Sequence, residues 1–234
     1  MNSAEATVIV GGVSEPGKMP GIGWGISALR CKTGSKLRNV PGSSCANCYA
    51  MKGRYPMPNV QRAHERRLGA YELAVAEGAI EMWIEAMAHL ARSKKGKGYF
   101  RWFDSGDLQS LDMLKHIFEV ARRAPEVKFW VPTKEKEILA ELFRDWTIRI
   151  PPNVALRYSL PMINSAAGGQ VACAIGRNHP DINRFAASVV YSGERPWQMG
   201  VFYCEAYKTT PASCGDCRAC WDTDNHKVIG YKEH

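Results

Sequence analysis

The sequence has no apolar run near the roughly 20 residues that a membrane span requires. Its first ten residues, Met1-Asn-Ser-Ala-Glu-Ala-Thr-Val-Ile-Val10, carry neither a basic leader nor a long apolar stretch. A membrane protein and a secreted one are therefore not expected, and a soluble cytoplasmic protein is. No internal repeat, low-complexity tract or interdomain linker is present, which excludes a solenoid or a disordered tail as the organising plan. Acidic surplus is also lacking: 31 Lys and Arg face 23 Asp and Glu, a formal net charge of +8. Cysteine is nearly absent from the middle of the chain, where Cys173 stands alone. The other cysteines fall into a front group, Cys31, Cys45 and Cys48, and a back group, Cys204, Cys214, Cys217 and Cys220. In the cytosol structural disulfides are rare, so thiols grouped in this way are expected to hold metal or do redox work.

With 234 residues, 45% hydrophobic and 23% charged, the chain can bury a sizeable core. We expect a single α/β domain over residues 1–234. It would comprise a Gly/Cys-rich entry segment (1–58), an alternating helix/strand core (60–192) and a Cys-rich C-terminal segment (193–234). Gly21 to Arg30 reads as a short strand or extended segment leading into Cys31, and Cys31 to Pro58 reads as loop. Helical periodicity runs from about Val60 to Arg92, with Gly78 as a break and Ile80, Trp83, Ile84, Met87 and Leu90 as core. Strands are expected at 99–103, 127–131, 154–159 and 187–191. Helices are expected over 111–124 and 135–146, the second capped by Thr133. Strand–helix–strand units imply a parallel sheet, open or partly closed into a barrel.

In parallel α/β architectures functional groups gather at the carboxyl ends of the strands. That rule selects Asp104-Ser105-Gly106-Asp107, Thr133 and Lys134, and Ser159. Asp104 and Asp107 are the candidate catalytic residues, and Ser105 and Gly106 the candidate cofactor-binding ones. The competing reading is that Asp107 or Ser110 caps the next helix while Asp104 orders the turn.

A Cys-x-x-Cys step lets one turn point two sulfurs at a single centre, and it occurs at Cys45/Cys48 and twice in Cys214-Gly-Asp-Cys217-Arg-Ala-Cys220. Cys204 with the back run makes a four-thiolate set, suited to iron–sulfur ahead of zinc, whose motifs more often show two separated pairs. The front group has three cysteines, so a cluster held by them alone leaves one iron open to a small molecule. If the metal is zinc, a histidine or the back group must complete it. His64 is the nearest histidine and is expected to be a surface residue. A shared centre drawing on both groups is the third partition. Cys173 reads as a small buried residue. Lys32, Lys36, Arg38, Lys52, Arg54, Arg62, Arg66 and Arg67, with Lys94, Lys95 and Lys97, make basic clusters that suit an anionic partner, nucleic acid included.

The segments Lys18–Trp24, Cys31–Leu37, Ser44–Tyr55, Phe100–Leu108 and Cys214–Trp221 together resemble the phage "gene product 88"-like proteins, over most of the chain. That resemblance implies a phage or prophage origin and a host-cytoplasmic location. More distantly, the layout resembles the radical S-adenosylmethionine (SAM) proteins. Those have a partial β/α barrel and three cysteines in an early loop, the last two separated by two residues and followed by an aromatic, as in Cys45-Ala-Asn-Cys48-Tyr49. This likeness implies a [4Fe–4S] cluster on Cys31, Cys45 and Cys48, SAM as its ligand near Asp104 to Asp107, and a second, auxiliary cluster on Cys204, Cys214, Cys217 and Cys220. The expected function is accordingly an iron–sulfur redox enzyme of radical-SAM type acting on an unknown small-molecule or macromolecular substrate. The rival expectation is a non-enzymatic metalloprotein, with structural iron–sulfur or zinc, that binds host nucleic acid or protein.

Overall fold

The structure, a computed structural model, describes residues 1–165, 179–182, 185–224 and 227–233. Cys173 and Gly168-Gly169 lie outside the described residues. Strands β1 (Ile22–Trp24), β2 (Tyr99–Trp102), β3 (Lys128–Thr133), β4 (Val154–Ser159), β5 (Ala186–Tyr191), β6 (Val201–Tyr203) and β7 (Val228–Lys232) form one sheet in the order β1-β2-β3-β4-β5-β7-β6. Every neighbouring pair is parallel. The first five strands are laid down in chain order, as in a β/α barrel, and the sheet stays open with β1 and β6 at its edges. Of the two expected forms, open or partly closed into a barrel, the sheet takes the open one.

The helices are α1 (Ser3–Val10), α2 (Lys32–Leu37), α3 (Pro58–Ala76), α4 (Ile80–Ala91), α5 (Leu111–Arg123) and α6 (Lys136–Arg144). Parallel neighbours need right-handed crossovers, and a run of them in one direction places the connecting helices on one face. Side-by-side packing of α1 on α4, α4 on α5 and α5 on α6 agrees with this. Strand side chains alternate between the two faces. Phe100, Trp102, Phe129, Val131, Val154 and Leu156 enter the core with Ile84, Met87, Leu114, Ile117, Phe118 and Leu139 of the helices. Their alternates, Tyr99, Arg101, Trp130 and Arg157, line the opposite, inner face. Trp221 covers that face, its ring 5.3 Å from Trp130 and 5.7 Å from Tyr99, and its indole N–H donates to Phe100 O at 2.9 Å.

Several sequence expectations change. The entry segment contains α1, closed by a capping box between Asn2 and Glu5, and the stretch read as loop contains α2. The expected long helix divides at Gly78, which takes φ +68°, into α3 and α4. Thr133 is the last residue of β3 and does not cap α6; Glu135 occupies that N-cap position, and Thr133 Oγ1 accepts the Glu135 N–H at 3.1 Å. The C-terminal segment is no appendage, since β6 and β7 belong to the sheet. Among the described residues no helix is long and apolar enough to cross a membrane.

Candidate metal centres

The front cysteines lie on a strap that leaves β1 and crosses the carboxyl ends of the next three strands. Ile26 N–H donates to Ser105 O at 3.0 Å, beyond β2. In α2, Thr33 donates its N–H (2.9 Å) and its hydroxyl (2.7 Å) to the two carboxylate oxygens of Glu135, beyond β3. Further on, Ser44 N–H donates to Pro161 O at 2.8 Å, and Ile163 N–H donates back to Gly42 O at 2.8 Å, beyond β4. Tyr49, next to Cys48, returns its hydroxyl to Asp104 O at 2.6 Å. These bonds span large sequence separations, so the strap's shape depends on the finished sheet.

The strap brings the front thiols together. A Cβ built on Gly34 would stand 3.5 Å from Cys31 Sγ and 3.7 Å from Cys45 Sγ. Glycine therefore leaves open a cradle that both sulfurs face, and any side chain at position 34 would fill it. Burial pushes the Cys31 thiol up, reinforced by Asp107, Cys48, Cys45 and Glu135. Burial raises Cys45 as well, opposed by the charges of Lys134 and Arg38. Asp107 is buried and shifted up to about 6 by desolvation, although Thr133 and the backbone N–H groups of Lys134 and Leu108 hold its charged form.

All four back cysteines, Cys204, Cys214, Cys217 and Cys220, line a cleft of about 900 Å³ beside β6 and β7. Cys204 follows β6 and donates its N–H to Gly230 O of β7 at 2.8 Å. The loop carrying the other three is gripped from the inner face by Arg157, which donates to the carbonyls of Ala219, Cys220, Asp222 and Lys227 at 3.0–3.3 Å. Cys220 Sγ lies 3.0 Å from the Tyr231 hydroxyl. Burial raises the Cys220 thiol to about 12 and also raises Cys214, with Cys204 adding to both.

For Cys31, Cys45, Cys214 and Cys220, the neighbouring thiols that add to the upward push belong to the same group. All seven described cysteines are free thiols. Among the described residues, no three Cys, His, Asp or Glu side chains yet converge on one point with metal-binding geometry. The donor chemistry and the Gly34 cradle nevertheless fit a thiolate-bound metal group.

Of the other expected site residues, Asp104 and Ser105 are buried at the end of β2, after a Phe103 held at φ +52°. Asp104 Oδ1 and Ser105 Oγ have no hydrogen-bond partner among the described residues. Gly106, at φ +79°, packs on Ile26. Asp107 spends its carboxylate tying β2's loop to that after β3, while Ser110 caps α5 by accepting the Met113 N–H. Ser159 Oγ accepts the Ser188 hydroxyl at 3.1 Å, across β4 and β5. His64 is buried, not at the surface as expected; its ring stacks on Tyr55, with centroids 6.1 Å apart.

Sequence reasoning missed Arg101, Arg157, Glu135 and Tyr231. The available signal was an arginine interrupting each of two hydrophobic strands, Tyr99-Phe-Arg-Trp102 and Val154-Ala-Leu-Arg-Tyr-Ser159. The expected basic face is partly consumed by the fold. Arg67 is buried, Lys32, Arg38 and Arg66 donate to backbone carbonyls, and Lys95 pairs with Glu15.

Compared with known proteins, residues 15–223 match the family model described as Gene product 88. No curated protein and no solved structure matches the chain.

Proposed function

The chain belongs to the Gene product 88 family, and from that premise we propose that it is an iron–sulfur redox protein of radical-SAM type. The observation that carries the reading is that Cys31 and Cys45 both face the Gly34 cradle, with Cys48 on the same strap over the carboxyl ends of β1 to β4. In a parallel sheet built in chain order, that is the end where ligands bind. A [4Fe–4S] cluster would supply one-electron chemistry there, and three cysteine ligands would leave one iron available to a small molecule such as SAM.

The chain's own residues prepare that place. Glu135 anchors α2, and with it Cys31, to the loop after β3. Asp107 fixes that loop to the one after β2. Asp104 and Ser105 offer buried oxygens without hydrogen-bond partners to a polar ligand at the end of β2. Lys134 and Arg38 supply positive charge near Cys45, which favours thiolate over thiol once a metal competes with the proton. Cys204, Cys214, Cys217 and Cys220 would hold a second, four-thiolate centre. Two clusters therefore fit the donor inventory, with zinc as the alternative metal.

Anaerobic loading with iron and sulfide, followed by metal and sulfide analysis and visible spectroscopy, tests the cluster. A brown protein with a spectrum that changes on adding SAM, and 5′-deoxyadenosine formation under dithionite, are expected. A colourless protein with stoichiometric zinc would end the iron–sulfur reading.

A metal-stabilised binding protein is the second reading, and it draws on exposed Lys36, Lys52, Arg54 and Arg62 around the front strap. It predicts a nucleic-acid affinity whose logarithm falls linearly with the logarithm of salt concentration.

A further inference from the structure

Arg101 stands on β2 between the two cysteine groups, and its contacts lead to both. Its Nη2 donates to the Tyr49 hydroxyl at 3.0 Å, and Tyr49 follows Cys48 in the chain. Its Nη1 lies 3.2 Å from Met19 Sδ, and the preceding residue, Lys18, accepts the Cys214 N–H at 2.9 Å. The guanidinium lies 4.4 Å from the centre of the Trp130 ring. Trp130 in turn stacks on Tyr231 with centroids 6.3 Å apart, and the Tyr231 hydroxyl is 3.0 Å from Cys220 Sγ. One unbroken series of contacts therefore runs from Cys48 through Tyr49, Arg101, Trp130 and Tyr231 to Cys220.

Among the described residues the same arginine has no carboxylate within ion-pair distance, and Asp104 acts on its charge only from further away. Arg101 is half-buried, and its Nε is enclosed without a hydrogen-bond partner. Enclosing a cation without a directly paired anion is unfavourable, so further negative charge nearby favours a guanidinium kept in this setting. Its field reaches Cys214 and Cys220, where it favours the thiolates. Metal centres on cysteine are anionic: a divalent ion on four thiolates leaves a net charge of about −2.

We propose that Arg101 is the shared counter-ion of the two cysteine centres, and that through it the loading of one centre is linked to the loading of the other. The proposal rests on the metal reading above. The planar guanidinium suits the position because it can stack on Trp130 while donating sideways to Tyr49, which a lysine ammonium cannot reproduce. Two anionic centres that share one cation repel each other less than two without it. Removing the cation weakens both centres and penalises double occupancy most. By linkage, the factor by which one centre alters the other's affinity is the same in both directions.

The test is a competition titration with a chromophoric chelator, using zinc and, anaerobically, iron with sulfide, on the full chain and its variants. Cys45→Ser with Cys48→Ser reports the back centre alone, and Cys217→Ser with Cys220→Ser the front centre alone. Arg101→Gln is expected to weaken both centres by roughly 10- to 100-fold, the range for an outer partner of metal ligands. Arg101→Lys, which keeps the charge, should recover much of that loss. Circular dichroism and a thermal melt establish that each variant is folded. If Arg101→Gln folds poorly, Trp130→Leu, which removes the stacking surface and leaves the charge, should weaken the linkage between centres with little effect on either centre alone. Wild-type affinities in a folded Arg101→Gln, or a loss confined to one group, would overturn the shared role while leaving the metal reading intact. A wild-type chain that loads no metal on either group would overturn both.

Discussion

The front and back cysteine groups are built in opposite ways. The front strap has little regular structure of its own beyond α2, yet it is bonded to the loops after β2, β3 and β4, and Cys45 is buried. The back loop is short and local, lies against the inner face of the sheet, and exposes Cys217. One arginine reaching four carbonyls holds it, helped by the Trp221 N–H on Phe100 O and the Cys214 N–H on Lys18 O. A three-thiol centre with a coordination position to spare needs its surroundings to fix where a ligand can enter. A four-thiol set is complete in itself and needs only to be held. Rigidity borrowed from the strand-end loops belongs with the first, and a clamp centred on Arg157 holds the second.

Breaking the clamp should have the largest effect on the metal-free protein. Arg157→Met leaves four carbonyls without their donor and is expected to lower stability by roughly 3–4 kcal/mol. The urea midpoint should fall, and the back thiols should react faster with a thiol reagent while the front thiols do not. Equal acceleration at both groups would mean that the two regions are not separately supported. Next, Gly34→Val fills the front cradle and is expected to cost about 1–3 kcal/mol through overpacking. Metal analysis should show the front centre lost and the back centre retained; a normal front centre would rule out the cradle.

Glu135→Gln comes third. The amide keeps one acceptor for α2, so a loss of about 1 kcal/mol is expected from the weakened charge-assisted bond. Front-centre affinity should fall with it and back-centre affinity should not, by chelator competition.

The smallest effect is a pH dependence. Asp107 titrates near 6 in the folded protein against an ordinary value of 3.8. Between those values the folded state holds a proton that the unfolded state has released, so stability falls as pH rises from about 4 to about 6. Denaturant titrations of the metal-free chain across that window should show this slope in the wild type and a flatter one in Asp107→Asn. A slope of the same size in both would assign it to another group.

Much of the core was legible because periodicity reports it. The alternation of Tyr99 to Trp102, the helical spacing of Leu111 to Ala121 and the Gly78 break all appear where the pattern places them. The grouping of the cysteines was legible too, since a Cys-x-x-Cys step is a local geometric fact. What escaped was everything that depends on chain closure. Thr33 and Glu135 are 102 positions apart, and nothing local distinguishes that carboxylate from a surface one. His64 was misread because its neighbours Arg66 and Arg67 suggest a solvated face, whereas the turn of α3 directs His64 and Arg67 inward. The short β6 and β7 escaped because Val201-Phe-Tyr203 is too brief to show alternation, and Gly230 interrupts β7.

The strand order has a consequence for how the molecule is made. β6 precedes β7 in the chain, yet β7 is its sole neighbour in the sheet and separates it from β5. On the ribosome the entire front strap and its supporting loops emerge first and can assemble. Residues 201–203 then wait, unpaired, until residues 228–232 slot in beside them. The amide that positions Cys204 finds its acceptor, Gly230, only at that moment. The front thiols can therefore come together while the chain is still being translated, whereas the back thiols reach their register in one late event. The two thiol groups of one chain thus mature on different timetables.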